Sequence, residues 1–174
     1  MHLQNSTSQE ERFLEILEKH KKLVFKVANI YGRSSEDKKD LSQEIILQLW
    51  KSFPKFDDSY AISTWMYRIA LNVSISFYRK ERTRKKTYDG YQQETGSLLQ
   101  WQEQPIVNQE LQQLHHFINQ LKSLDKALIL LFLEGHKNKE IAVIMGMSVT
   151  NVSTKIHRIK AQLTNNFKSL KKQP

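Results

Sequence analysis

The chain has 174 residues, a net charge of +9 and no cysteine. That excludes a disulfide framework and thiolate chemistry, and it points to a polyanionic partner. The N-terminal MHLQNSTSQEERF has no basic-then-apolar leader and no apolar run reaches membrane-spanning length, so the expectation is a soluble, cytoplasmic protein.

Charge divides the chain into three. Residues 1–86 hold 17 Lys/Arg against 11 Asp/Glu, residues 87–112 hold no Lys or Arg and four acids, and residues 113–174 hold ten cations against three acids. The acidic middle is rich in Gln, carries two glycines and a proline, and has no sustained period. It reads as a linker between domains at 1–86 and 113–174.

Both domains read as helical, so the predicted fold class is all-α: two small helical domains joined by a flexible acidic linker. From 12 to 31, apolar residues recur at Phe13, Ile16, Leu17, Leu23, Val24, Val27 and Ile30 at helical spacing, and Gly32 ends the run. Ser34 or Ser35 can cap the next helix, which turns Leu41, Ile45, Leu49 and Trp50 inward and stops near Phe53 and Pro54. After the loop KFDDSYAI, Ser63 is expected to cap a third helix, with Ile62 and Tyr67 as a hydrophobic staple.

In that helix Trp65, Ile69, Val73 and Phe77, with Met66 and Ala70 alongside, are expected to form a buried stripe. Arg68, Asn72, Ile75 and Arg79 share another face, and the helix ends in RKERTRKK, six cations and one anion. Like charges so close repel each other unless a polyanion accepts them. An amide at Asn72 flanked by cations suits bases and phosphates, the alternative being a solvated face with a tolerated Asn.

Near the C-terminus, Asn138 can cap a short helix with Ile141, Ala142 and Met145 inside, and Gly146 ends it with positive φ. Ser148 can cap a second helix with the inward stripe Val149, Val152, Ile156, Ile159 and Leu163. The pair predicts a helix-turn-helix, whose second helix enters the major groove. Its opposite face carries Thr150, Asn151, Thr154, Lys155, His157 and Arg158, with Ser153 at the margin. No acid follows Ile141, which favours DNA over a plain helical hairpin.

Asp37, Asp40 and Glu44 share one helix face beside Gln43. Such a cluster can bind a metal for nuclease chemistry, dock a basic protein, or stay solvated. No histidine pattern, phosphate loop or nucleophile elbow accompanies it, so neither an enzyme nor any cofactor or metal is expected.

The segment EDKKDLSQEIILQLWKSFPKFDDSYAISTWMYRIALNVSISFYRKERTRKK resembles the second conserved region of bacterial sigma factors. The segment LKSLDKALILLFLEGHKNKEIAVIMGMSVTNVSTKIHRIKAQL resembles the fourth. With only these two domains, the chain is similar to extracytoplasmic-function sigma factors, which bind core RNA polymerase, direct it to promoters and help melt DNA. The resemblance implies that Asp37, Asp40, Gln43, Glu44 and Leu47 dock on the β′ clamp helices, with the β flap as a further contact. Trp65, Arg68, Asn72, Arg79 and Arg82 would meet the minus-ten element, duplex and melted. The loop residues Lys55, Phe56, Asp57, Ser59 and Tyr60 would receive an unstacked base of the single strand. Residues 149–163 would read the minus-thirty-five element, and the acidic linker would lie in the polymerase's RNA path. An anti-sigma factor, in that family commonly membrane-bound, is the implied regulator, and no homo-oligomer is expected. Two departures stand out: VTNV places Asn151 where the family commonly has Thr, and HRIK carries Ile159 and Lys160. A stand-alone helix-turn-helix regulator is the main alternative.

Overall fold

The computed structural model describes residues 2–88 and 109–170. Most of the predicted linker therefore lies outside the described residues. The chain divides into two compact units. The first holds α1 (His2–Tyr31), α2 (Ser35–Ser52), a 3₁₀ turn (Phe53–Lys55) and α3 (Ile62–Tyr88). The second holds α4 (Gln109–Gln120), α5 (Ser123–Leu133), α6 (Asn138–Met145) and α7 (Val149–Leu170). The described residues form helices and connections without strands, as the periodicities predict.

In the first unit the three helices pack against one another around Val24, Val27 and Tyr31 of α1, Leu41, Ile45 and Leu49 of α2, and Met66, Ala70 and Leu71 of α3. Each large apolar side chain buried here contributes roughly 1.5–3 kcal/mol relative to exposure. Trp50, expected inward, is 39% exposed. It closes the rim, edge-on to Phe13 at 5.0 Å.

The buried face of α3 is displaced from the expected one. Met66 and Ala70 are buried as expected, and Tyr67, Leu71, Ser74 and Ile75 are buried with them, while Trp65, Ile69, Val73 and Phe77 are only half-buried. Ile75 therefore belongs to the core and not to the arginine face. A polar residue hid the true centre of this stripe: the Ser74 hydroxyl donates to the Ala70 carbonyl at 2.8 Å, so it is buried without an unmet hydrogen bond.

The helix starts follow the predicted chemistry in part. Ser34 caps α2, its Oγ accepting from the Asp37 amide at 3.0 Å, and the Asp37 carboxylate accepts in return from the Ser34 amide at 3.1 Å. Ser63 does not cap α3. The first helical bond runs from the Trp65 amide to the Ala61 carbonyl, 3.1 Å, so Ile62 is already helical and the expected staple does not form.

In the second unit α5 is buried from Asp125 to Leu131, with α4, α6 and α7 packed around it. Gly146 ends α6 at φ 63°, and the Met147 amide closes the turn on the Ala142 carbonyl at 3.0 Å, a Schellman arrangement. Ser148 caps α7 through the Asn151 amide at 3.2 Å. Asn138 does not cap α6. Lys137 stands at that position, its amide donating to Glu140 Oε2 at 2.8 Å, and Asn138 Nδ2 instead donates to Ser153 Oγ at 2.8 Å. This bond ties the two helices of the motif across their crossing. Val152, Ile156, Ile159 and Leu163 form the inward stripe, but Val149 is 42% exposed because it sits in the first turn, beyond the reach of α6.

Gly32 joins α1 to α2 through close approach. A Cβ there would lie 2.8 Å from the Lys38 amide nitrogen and 2.9 Å from its Cα. Gly32→Ala should therefore destabilise the first unit by about 1–3 kcal/mol, as the backbone has to shift. Urea unfolding followed by tryptophan fluorescence, with Trp50 and Trp65 in this unit, checks it; an unchanged midpoint would contradict the packing of this turn.

Candidate nucleic-acid and protein-docking surfaces

Three surfaces carry the predicted residues. On α2, Asp40, Gln43, Glu44 and Leu47 are all exposed, Leu47 at 44%. Glu44 accepts from Gln48 Nε2 at 2.8 Å. Asp37 does not join them. Its Oδ2 is committed to the amides of Arg33 and Ser34, at 3.2 and 3.1 Å, so it is part of the helix cap. The three carboxylates therefore do not converge. Among the described residues no group of three or more His, Asp or Glu side chains could hold a metal ion. What remains is an apolar side chain beside two outward carboxylates, a pattern that suits a basic protein surface.

The second surface joins the loop after the 3₁₀ turn to α3. Trp65 is half-buried and packs against Phe53 at 6.2 Å and Phe56 at 5.1 Å, which roots the loop in the core. Lys55, Asp57, Ser59 and Tyr60 are exposed. Asp57 Oδ1 accepts from the Ser59 amide at 3.1 Å, and hydrogen bonding from Ser59 holds the Asp57 carboxyl below its ordinary pKa. Arg68 lies with its guanidinium 5.1 Å from the centre of the Tyr60 ring, so the helix and the loop meet at a cation–π contact. Asn72 and Arg79 are exposed on α3. The Arg82 side chain lies outside the described residues. Two further residues belong to this surface that no sequence pattern singled out: Arg12 of α1 meets Asp58 at 3.4 Å, and Asp58 has φ 57°. They are 46 positions apart, so no local spacing could have paired them.

The third surface is the outer face of α7. Thr150, Asn151, Thr154, His157 and Arg158 are exposed. Thr154 Oγ1 is turned onto the Thr150 carbonyl at 2.9 Å. Lys155 and Ser153 are half-buried, and Ser153 is held by Asn138 as described, so its hydroxyl stands at the motif's inner edge. Arg158 reaches Asp125 of α5 at 3.6 Å, with the Asp125 side chain only 12% exposed. Asp125 is thus a missed member of the site, hidden in sequence because it is an acid within an apolar helix.

The Sigma-70 region 2 family model matches residues 16–84, and the Sigma-70 region 4 model matches residues 111–163. The ECF RNA polymerase sigma-E factor of Escherichia coli K12 is 29% identical over 157 residues, covering 83% of this chain and 82% of that protein. RNA polymerase sigma factor SigV of Bacillus subtilis is 28% identical over 150 residues, covering 83% of this chain and 87% of that protein. Among solved structures, the sigma factor RpoE of Bartonella quintana, crystallised with the anti-sigma factor NepR, has the same fold. Its TM-score is 0.73 at 19% identity, covering 91% of this chain and 98% of that one. No described helix is long and apolar enough to cross a membrane.

Arg158→Ala leaves the Asp125 carboxylate without the cation that faces it. The expected cost to stability is about 1 kcal/mol, discounted because the arginine is largely exposed. In an Asp125→Asn background that cost should vanish, whereas any loss of base preference on DNA should persist. Thermal unfolding of the four proteins, set beside selection on a randomised upstream element, separates the two effects.

Proposed function

The chain belongs to the extracytoplasmic-function sigma factors, which direct RNA polymerase to promoters, and on that premise we propose how its residues divide the work. Asp40, Gln43, Glu44 and Leu47 dock the first unit on a basic helical surface of the core polymerase, the β′ clamp helices, while the second unit contacts the β flap. Asp37 supports that face from the cap. The loop 55–60 and the face of α3 bearing Trp65, Arg68, Asn72 and Arg79, continued toward Arg82, meet the minus-ten element and hold its melted strand. The outer face of α7, with Asn151, Thr154, Lys155, His157 and Arg158, meets the minus-thirty-five element. The observation that carries this reading is the pairing of Arg68 with Tyr60: an exposed aromatic ring held beside a helical cation suits the stacking of an unpaired base next to a phosphate contact. The protein has no catalytic site of its own in this reading and acts in the cytoplasm as one copy per polymerase. An anti-sigma factor is its regulator, by likeness to the Bartonella protein crystallised with NepR. A stand-alone helix-turn-helix regulator would need neither the α2 face nor the Tyr60 platform.

The docking assignment is tested by competition for core polymerase. Asp40→Lys or Glu44→Lys places a cation against a basic partner, and each should weaken binding by about 1–3 kcal/mol without unfolding an exposed helix face. Two variants that compete as wild type would remove α2 from the docking surface.

For Asn72 the expected defect lies in strand opening. An amide can pair with an exposed base edge, and unstacking a base costs a few kcal/mol that must be recovered from contacts made in the open state. Asn72→Ala should leave closed complexes nearly normal and slow melting. Alanine is the better helix former, so a folding defect does not account for the loss. Permanganate footprints on a duplex promoter and on a pre-melted bubble decide it. Rescue by the bubble supports the role, and equal rates on the duplex remove it.

A further inference from the structure

We infer that Arg12 of α1 is a positioning residue for the loop that takes the unstacked base, acting through Asp58. The inference rests on the loop reading given under Proposed function. The segment between the 3₁₀ turn and α3 is in no helix, and Asp58 within it adopts φ 57°, the left-handed region. Asp tolerates that region better than most residues but still needs to be held there. On one side the Asp57 carboxylate bends the chain by accepting the Ser59 amide. On the other, Arg12 Nη2 lies 3.5 and 3.4 Å from the two Asp58 oxygens. The same guanidinium sits 5.8 Å from the centre of the Phe53 ring, and Phe53 is buried. Arg12 is next in sequence to Phe13, which is buried against Phe53 and Trp50. The cation therefore starts from a fixed point and spans from the aromatic core to the loop.

At the far end, Tyr60 is held by Arg68. The loop is thus tethered by a cation at each side of Ser59, one from α1 and one from α3. Such tethering holds the loop in one geometry when a base enters, so a base that does not match it cannot regain contacts by rearranging the loop, which is where a weak exposed pair can change selectivity. It also neutralises Asp58, one of two adjacent carboxylates that would otherwise repel a nearby phosphate backbone.

The experiment is a double-mutant cycle on the full chain assembled with core polymerase. Arg12→Gln, Asp58→Asn and the double variant are compared with wild type, alongside Tyr60→Ala. The readout is discrimination among the four bases at the unstacked minus-ten position in a randomised pool, with preference at the minus-thirty-five element as the internal reference. Each single variant should lose discrimination by about two- to fivefold, the range of an exposed ion pair. The double variant should lose no more than either single one, because both remove the same interaction. Raising the salt should narrow the difference from wild type, which a packing role would not do. Discrimination unchanged in Arg12→Gln, or additive losses in the double variant, while Tyr60→Ala is impaired, overturns the role of Arg12 and leaves the loop reading standing. Unchanged discrimination in Tyr60→Ala overturns the loop reading itself, and the positioning role with it.

Discussion

Edge-to-face and tilted aromatic packing in the first unit sets the geometry on which its surfaces depend. Phe13 of α1 meets Phe53 of the 3₁₀ turn at 5.3 Å, and Trp65 of α3 meets Phe53 and Phe56 at 6.2 and 5.1 Å. Rings in such pairs contribute roughly 0.5–1.5 kcal/mol each beyond their buried area. Their directional preference also fixes the angle at which the chain leaves α2 and enters α3. A loop leaving an aliphatic core could pivot, whereas a loop starting from stacked rings has its first residues held. The exposed Asp57, Ser59 and Tyr60 are then presented by a rigid base, as the proposed role of this loop requires.

The same logic places charge. Several cations of the first unit, each on a different element, are tied to rings or carboxylates: Arg33 over Tyr78 at 5.6 Å, Arg68 over Tyr60, Arg12 between Phe53 and Asp58. In the second unit Lys160 lies over Phe132 at 5.0 Å, and Arg158 meets Asp125. A basic surface held this way can keep an oriented set of donors in the absence of nucleic acid, so less order has to be imposed on binding. The acids are divided correspondingly. Asp37 is consumed by a cap and Asp125 of α5 by an arginine, whereas Asp40 and Glu44 stand outward on α2 beside Leu47.

Several parts of the fold and site were legible because they are written in short spacings. The apolar run through Val24 and Val27, the Ser34 and Ser148 caps, and the glycine turn at Gly146 depend on interactions within about one helical turn, so sequence suffices for them. The helix-turn-helix and the outward set on α7 followed from the same periodicity. Reading by apolar residues alone misplaced the centre of the face on α3, where Ser74, polar in sequence, is fully buried between the Ala70 and Ile75 positions of the core. It failed at Trp50 and Val149, apolar residues at the ends of their helices that neighbouring elements cover only in part.

The sequence by itself determined the helical class, the glycine turn and the outward polar face of α7, along with a basic excess that suits a polyanionic partner. These are properties of local backbone preference and of composition. Only the tertiary structure decided which polar groups are free to act. Asn138 is spent on Ser153 and Asp58 on Arg12, while Arg158 is oriented by a carboxylate 33 positions away. The physical reason is that a polar side chain's role depends on which partner comes within about 3 Å of it, and for distant partners only the packing of helices sets that distance.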